Sequence, residues 1–396
     1  MTSTTNILPV DPLRVGKFIP SSSQLSSIED WRLEPSCDSP DYKRLASAAA
    51  ALRESNIPVA FPTETVYGLG ADATRSDAVR GIYKAKQRPS DNPLIVHFAS
   101  LAQLRSLLRP ASDSAELHSN TADDGISPIY APLIERFWPG PLTILLPLPK
   151  QSPLAPEVSA GLHTFGARIP RNALALALIQ LADRPIAAPS ANASTKPSPT
   201  AAEHVKDDLD GRIEIIIDGG PCDVGVESTV VDGLSSPPAI LRPGGISLEQ
   251  LRECPGWENC VIGYKDRAEG DGEDHGIGEG PRAPGMKYRH YSPKAPVILH
   301  EFGASMPTVE QLGGSLSEEK RSIGIIRAGT WPSGLGYVNL GDDLEDIARG
   351  LFSALRELDR KDVDVIFVEG IDESRGDVAA AIMNRLRKAA EVKVSD

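Results

Sequence analysis

Apolar and polar positions along this chain fall into short blocks whose period changes repeatedly. Residues 1–40 show little periodicity and are expected to form a poorly ordered extension. Residues 42–56 are rich in alanine and leucine at helical spacing and lead into an apolar run, 57–61, that reads as a buried strand. Pro62 stops that strand. Thr63, Glu64, Thr65 and Tyr67 then crowd a turn in which Gly68 and Gly70 permit tight folding. A helical segment follows, with Ala78, Ile82 and Ala85 on one face, Lys84, Lys86 and Arg88 at its end, and Pro89 forbidding simple continuation. Residues 93–98 read as a strand and 100–108 as a helix, while the Ser/Asp/Asn-rich stretch 109–128 reads as a surface insertion. A helix at 129–138 and a buried strand at 142–148 come next. Residues 167–170 form a short strand carrying Arg168, 172–182 an apolar helix, and 185–188, 213–218, 227–232 and 239–242 further strands. Such irregular alternation of short strands and helices predicts an α/β fold built on an open, twisted, mixed sheet.

The pattern changes at 263–284, where acidic residues and glycines dominate and too little apolar surface is present to fold alone. From 295 onward a second unit begins: strands at 297–300, 322–327 and 363–369 with helices at 344–358 and 378–390, a small α/β unit with a parallel sheet. The expected divisions are 1–40, 41–262, a linker at 263–294, and 295–396. The 396 residues suffice for two cores. No apolar run reaches membrane length. A net charge of −13 argues against indiscriminate coating of nucleic acid, though it leaves room for a local basic cleft. Cys37, Cys222, Cys254 and Cys260 form no zinc-type spacing and read as thiols of a reducing compartment. The first forty residues lack the apolar core of a secretory signal and are thinly basic for a mitochondrial presequence. The cytoplasm is the expected compartment, with a mitochondrial pool left open.

Four constellations bear on chemistry. Lys84, Lys86 and Arg88 either complement a helix dipole or clamp a phosphate. Gly68-x-Gly70-x-x-Ala73 mimics a dinucleotide fingerprint, but Asp91 lies in a turn before the next strand, where that fingerprint has no acid, so the motif is rejected. No phosphate-binding GxxxxGK[ST] loop is present, so an ATP site has to be assembled from scattered groups. Ser190, Asn192, Ser194, Lys196, Ser198 and Thr200 sit between a strand and a helix, where hydroxyls and backbone N–H groups suit anionic oxygens or simply cap the helix. Glu227, Ser228 and Thr229 interrupt a valine-rich strand. Alternation alone allows them a solvent face, whereas Arg242 nearby suggests a pocket wall. Arg168, in an apolar strand, needs an anionic partner, and a substrate carboxylate fits its fork. Finally, 284–293 interleaves aromatic and basic residues, as a docking strap or a lid.

The run Pro62-Thr63-Glu64-Thr65-Val66-Tyr67-Gly68-Leu69-Gly70, then Lys86-x-Arg88-Pro89, Asn92-Pro93-Leu94 and His97, resembles the signature of the Sua5/YrdC/YwlC family, the L-threonylcarbamoyladenylate synthases. The serine-rich loop resembles the family's second motif, with Thr195 where glycine is common. The stretch Pro284-Gly285-Met286-Lys287-Tyr288-Arg289-His290-Tyr291-Ser292-Pro293 resembles the interdomain linker of the long, two-domain Sua5 form, which in the family folds over the active site. The resemblance implies a YrdC-like catalytic unit followed by a small Rossmann-like domain. It implies ATP-dependent formation of threonylcarbamoyl-AMP from L-threonine and bicarbonate or CO2, with Mg2+ accompanying ATP. Lys86, Arg88 and Arg242 are then the catalytic phosphate groups. Asn92, Thr164, Ser190, Ser198 and Tyr291 join Arg88 and Arg242 on the ATP side, and Thr65, His97, Arg168, Ala188 and Ser228 bind threonine. Lys287, Tyr288, Arg289 and His290 form the lid. The product would feed a tRNA threonylcarbamoyl transferase machinery acting at position 37 of ANN-decoding tRNAs, with direct tRNA binding left open and no membrane partner. Two other readings are a related carbamoyltransferase, whose acylphosphatase-like unit and cysteine zinc fingers are not visible here, and a non-catalytic double-stranded RNA- or tRNA-binding factor.

Overall fold

The structure, a computed structural model, describes residues 4–20, 29–109, 125–264, 290–307, 322–328, 331 and 338–395. Eleven strands of these residues make one mixed sheet. In chain order the first strands are β1 (Asn6–Pro9), β2 (Gly16–Pro20), β3 (Trp31–Pro35), β4 (Val59–Phe61), β5 (Gly68–Asp72) and β6 (Ile95–His97). β7 (Leu142–Pro147), β8 (Thr164–Arg168), β9 (Ile186–Ala187), β10 (Ile215–Asp218), β11 (Thr229–Asp232), β12 (Ala239–Arg242) and β13 (Val261–Ile262) follow. The sheet order is β1-β10-β4-β5-β9-β6-β8-β7-β11-β12-β13, and β2 and β3 pair separately as a hairpin. The helices of this first unit are α1 (Pro12–Val15), α2 (Pro40–Glu54), α3 (Ser76–Lys86), α4 (Leu101–Leu108), α5 (Ala131–Phe137), α6 (Pro156–Ser159), α7 (Ala173–Ala182), α8 (Ala202–Leu209) and α9 (Leu248–Arg252).

Period-two alternation assigns each strand two faces. Ala60, Val96, Ile144, Ala167, Ala187 and Ile216 point to a core shared with α3, α4, α5 and α8. Their neighbours Val59, Phe61, Ile186 and Ile217 face α2 and α7. Farther along that second face, Ile95, Leu145, Val230, Ala239 and Leu241 form a separate apolar patch. A cavity opens between the two patches, with Ala188 from one and Ile95 from the other in its wall.

The expectation for residues 1–40 is corrected by β1, which pairs in parallel with β10 and extends the main sheet, and by the β2–β3 hairpin. Four residues of strand are too few for a period to register in sequence. A second correction concerns Gly68 and Gly70, which sit inside β5 rather than in a turn. A Cβ on Gly70 would lie 2.7 Å from the Phe61 ring and 2.8 Å from Ile186, so close approach, not backbone freedom, requires glycine there. Two boundaries also differ. The helix expected at 129–138 is a 3-10 turn, Pro128–Tyr130, followed by α5, and Glu227 and Ser228 precede β11 rather than belonging to it. Most of the 109–128 insertion and of the 263–284 linker lies outside the described residues.

The C-terminal unit is a parallel sheet, as the sequence pattern predicts, but it has five strands where the pattern reads three. Its strands are β14 (Val297–His300), β15 (Ile323–Arg327), β16 (Val338–Asn339), β17 (Val365–Glu369) and β18 (Val392–Val394), in the order β16-β15-β17-β14-β18. Helices α10 (Leu344–Arg360) and α11 (Asp377–Ala389) cover one face. The same apolar cluster takes in Val66, Val226 and Tyr291, so the two units share a core at the cavity's rim.

Candidate active site

The cavity is lined from four strands and the loops that leave them. Thr63 and Thr65 follow β4, Ile95 and His97 lie on β6, Arg168 ends β8, and Arg242 ends β12. β6 and β8 run parallel with His97 opposite Arg168, which sets an imidazole and a guanidinium side by side. Every described residue to which the family resemblance gives a role lines this one cavity except Thr164, while Lys84, Thr200 and Thr229 lie outside it. Thr164 starts β8, about 13 Å along the strand from Arg168 at the usual rise per residue. Lys287, Tyr288 and Arg289 lie outside the described residues, while His290 and Tyr291 are in the wall.

Arg168 already has an anion. Its Nη2 meets Glu64 Oε1 at 2.7 Å, Nη1 donates to Thr65 Oγ1 at 3.1 Å, and Nε donates to Gly140 O at 3.2 Å. Burial compels this, because an unpaired guanidinium in an apolar strand is costly. The partner expected from sequence is therefore supplied by the chain's own Glu64. Thr65 Oγ1 also lies 2.9 Å from Thr63 Oγ1, so a hydroxyl pair sits at the guanidinium's edge. Arg242 donates through Nε and Nη2 to Ser228 O and through Nη2 to Ser228 Oγ at 3.0 Å, and that hydroxyl lies 2.8 Å from Thr143 Oγ1.

The cationic run after α3 splits in the structure. Lys84 is exposed, Lys86 is buried and Arg88 is half-buried. Gln87 takes a left-handed conformation at the helix end, which turns Arg88 inward. Arg88 Nη2 donates to Pro93 O at 3.1 Å while its Nε is buried without a partner. Lys86 Nζ donates to Ser190 O, to Asn192 O at 2.6 Å and to Asn192 Oδ1 at 3.4 Å. Ser194 N returns a bond to Lys86 O at 2.9 Å. In this geometry Lys86 anchors the serine-rich loop. Thr195 adopts φ 76°, a left-handed conformation unusual for a β-branched residue, and Ser292 N donates to its carbonyl at 2.7 Å. That explains glycine's frequency at this place in the resembling motif.

Glu227, which alternation alone allowed on a solvent face, is buried and is the one carboxylate among the described residues lining the cavity. Burial disfavours its charge, but Arg385 and Arg242 outweigh that and hold it below the ordinary carboxylate range. Burial, with Arg88 adding repulsion, pulls the Lys86 ammonium well below its ordinary value, and burial lowers Arg88 to about 10. Burial and Glu227 push the Tyr291 phenol up to about 12. Lys86, Arg88, Lys196, Arg168 and Arg242 surround a space with one carboxylate in its wall; Glu64 and Asp208 behind the wall pair Arg168 and Lys196, and the remaining excess of cations favours polyanions. Buried polar atoms without partners, Arg88 Nε, Asn92 Oδ1, His97 Nδ1 and His290 Nε2, belong to residues of the same wall. Such atoms are costly unless a polar ligand pairs them.

No cluster of three or more His, Cys, Asp or Glu suited to a metal occurs among the described residues. Glu227 is engaged by Ser198 and Arg385. The donor set therefore fits Mg2+ only as an ion carried in on nucleotide phosphates and water, the usual manner for this cation.

Burial, reinforced by Arg168, lowers His97 to about 3, and burial with Arg88 lowers His290 to about 3. Both imidazoles are neutral at pH 7. Because the folded pKa lies below the unfolded value near 6.5, the unfolded chain binds the extra proton between about pH 6.5 and 3. Stability is therefore lost as pH falls through that window. Between pH 7 and pH 5 each group costs about 2 kcal/mol of unfolding free energy. Urea unfolding at the two pH values is expected to show a drop smaller by about that amount in His97→Gln than in the parent chain. Equal drops would mean that His97 is not held neutral.

Two family profiles match the chain. One, of the Sua5/YciO/YrdC type and described as telomere recombination, covers residues 51–244, and one described as threonylcarbamoyl-AMP synthase, C-terminal domain, covers 246–391. The chain is 47% identical to the threonylcarbamoyl-AMP synthase of Schizosaccharomyces pombe over 98% of each chain. It is 44% identical to that of Pyrococcus abyssi over 93% of this chain and 96% of that one. Among solved structures it is similar to P. abyssi Sua5 complexed with L-threonine, with a TM-score of 0.74 and 42% identity, covering 99% of this chain and 100% of that one. No described helix is long and apolar enough to cross a membrane.

Proposed function

The chain belongs to the Sua5-type threonylcarbamoyl-AMP synthases, and from that premise we infer what its cavity does. It joins L-threonine, bicarbonate and ATP into threonylcarbamoyl-AMP and releases pyrophosphate and water, the water leaving as bicarbonate yields CO2. The observation carrying this reading is that the candidate side chains from widely separated segments, with several unpaired buried polar atoms, line one cationic cavity. In the reaction the threonine amine takes up CO2 and loses a proton to give a carbamate. A carbamate oxygen then bonds to the α-phosphorus of ATP as the bond to pyrophosphate breaks. The nucleophile is the substrate's own, so the protein's task is to align two reactants and offset phosphate charge.

Arg88 and Arg242 face the phosphates, with Asn92, Ser190, Ser198 and Tyr291 around the nucleotide. Lys86 fixes the loop that carries Ser190 and Asn192. Thr63, Thr65, neutral His97, Arg168 and Ser228 surround threonine, with Ala188 in the wall. Mg2+ accompanies ATP and offsets part of its charge. The product supplies N6-threonylcarbamoyladenosine synthesis at position 37 of ANN-decoding tRNAs, by handing the activated carbamoyl group to a tRNA threonylcarbamoyl transferase.

Pyrophosphate release measured with each substrate omitted in turn tests the reading. Release is expected to require ATP, L-threonine and bicarbonate together. L-valine is expected to be used at least about 100-fold less efficiently, because a site with hydroxyl partners leaves them unpaired when the hydroxyl is missing. Equal rates with valine would remove Thr65 and Ser228 from hydroxyl recognition, and release without threonine would sink the assignment.

A further inference from the structure

Helix α11 buries a charged residue, Arg385, at 1% exposure. Its guanidinium leaves its own unit: Nε donates to Glu227 Oε2 at 3.2 Å and Nη1 donates to Pro243 O at 2.6 Å. It also lies over the Tyr291 ring, 6.0 Å from the centroid. Glu227 is in the cavity wall, whereas Arg385 is behind it. The second carboxylate oxygen of Glu227 accepts from Ser198 Oγ at 2.5 Å, and the same carboxylate is near enough to the Tyr291 phenol to push it up.

We propose that Arg385 of the C-terminal unit is a positioning residue for the nucleotide side of the active site, acting through Glu227 on Ser198 and Tyr291. The inference rests on the assignment of Ser198 and Tyr291 to ATP. Two physical consequences separate it from simple docking. First, Glu227 has Arg242 as its other cationic neighbour. With Arg385 gone, the carboxylate turns toward Arg242 and competes with the triphosphate for it. Second, Ser198 loses a fixed acceptor, since the carboxylate that holds it is itself no longer anchored. Docking alone is served by other interunit pairs that do not reach the cavity, such as Arg360 with Asp207 at 2.6 Å.

Pyrophosphate release by the full chain, with ATP and threonine varied separately, tests this alongside calorimetric titration of ATP alone. Arg385→Met is expected to raise KM and Kd for ATP by about tenfold or more, as loss of a charge-assisted hydrogen bond does. KM for threonine should stay within about twofold, the variation expected of a group that is not touched. Arg385→Lys keeps the charge without the fork and should fall between the two. Arg385→Met combined with Glu227→Gln removes the stranded charge and should recover part of the ATP affinity. Arg360→Ala should leave both KM values unchanged. An unchanged ATP affinity in Arg385→Met overturns the proposal. So does an equal rise in both KM values that tracks a fall in Tm. Should Arg385→Met fail to fold, the lysine and double variants carry the same readouts, and wild-type ATP affinity in the lysine variant is fatal to it. If the parent chain released no pyrophosphate, the functional reading would fall, while the ATP titrations would still decide the role of Arg385.

Discussion

Arg168→Met is expected to lower the unfolding free energy by about 3–5 kcal/mol and to abolish measurable threonine-dependent pyrophosphate release. Glu64 is 1% exposed and its Oε1 meets Arg168 Nη2 at 2.7 Å, so methionine strands a carboxylate in the interior. The Thr65 hydroxyl and the Gly140 carbonyl lose their donor in the same change. An exposed pair would matter far less. Arg80, paired with Asp77 and Glu157 on the surface, is the contrast, and its loss should leave the unfolding free energy nearly unchanged. Adding Glu64→Gln to Arg168→Met removes the stranded charge and should restore more than half of the lost stability while leaving activity absent. Urea unfolding of the three variants checks both effects. If Arg168→Met unfolds within about 1 kcal/mol of the parent chain, the buried pair does not organise this wall.

Much of the site was legible because its residues sit at places where sequence and chemistry disagree. An arginine in an apolar strand, polar residues inside a valine run and aromatics in a linker all announce a burden that an ordinary core does not carry. Their partners were less legible. Nothing in the spacing of Glu64 and Arg168, 104 positions apart, says that the first neutralises the second. Glu227 was readable as a wall residue, but its dependence on Arg385, 158 positions away in another unit, arises from interunit packing. The sheet was predicted in class and in most strands. Of the strands that escaped, β13 has only two residues, β1 is too short to show a period, and in β5 the glycines that read as a turn are there because Phe61 lies against them.

Lys86 is the second residue whose loss should be felt most, and the manner of the loss distinguishes two roles. Sequence placed it beside Arg88 as a phosphate group, yet its ammonium is satisfied by Ser190 O, Asn192 O and Asn192 Oδ1. Those acceptors belong to the loop that carries Ser190 and Ser198, the hydroxyls proposed above to face the nucleotide. Lys86→Met leaves the two carbonyls buried without a donor, at about 1–3 kcal/mol each. It also frees the loop whose Thr195 is held in a left-handed conformation. The expected result is a ligand-free protein less stable by about 2–4 kcal/mol and an ATP-dependent kcat/KM lower by about 10² or more. A residue whose main partner is a phosphate predicts the reverse for stability. Burial already pulls this ammonium well below its ordinary value, so deleting an unengaged charge from that position would leave the ligand-free protein as stable or more so. Only the stabilisation conferred by added ATP would then disappear. Thermal unfolding with and without ATP reads the two apart. A fall in the ligand-free Tm assigns Lys86 to the loop, and an unchanged or raised ligand-free Tm with no ATP-induced shift assigns it to the triphosphate.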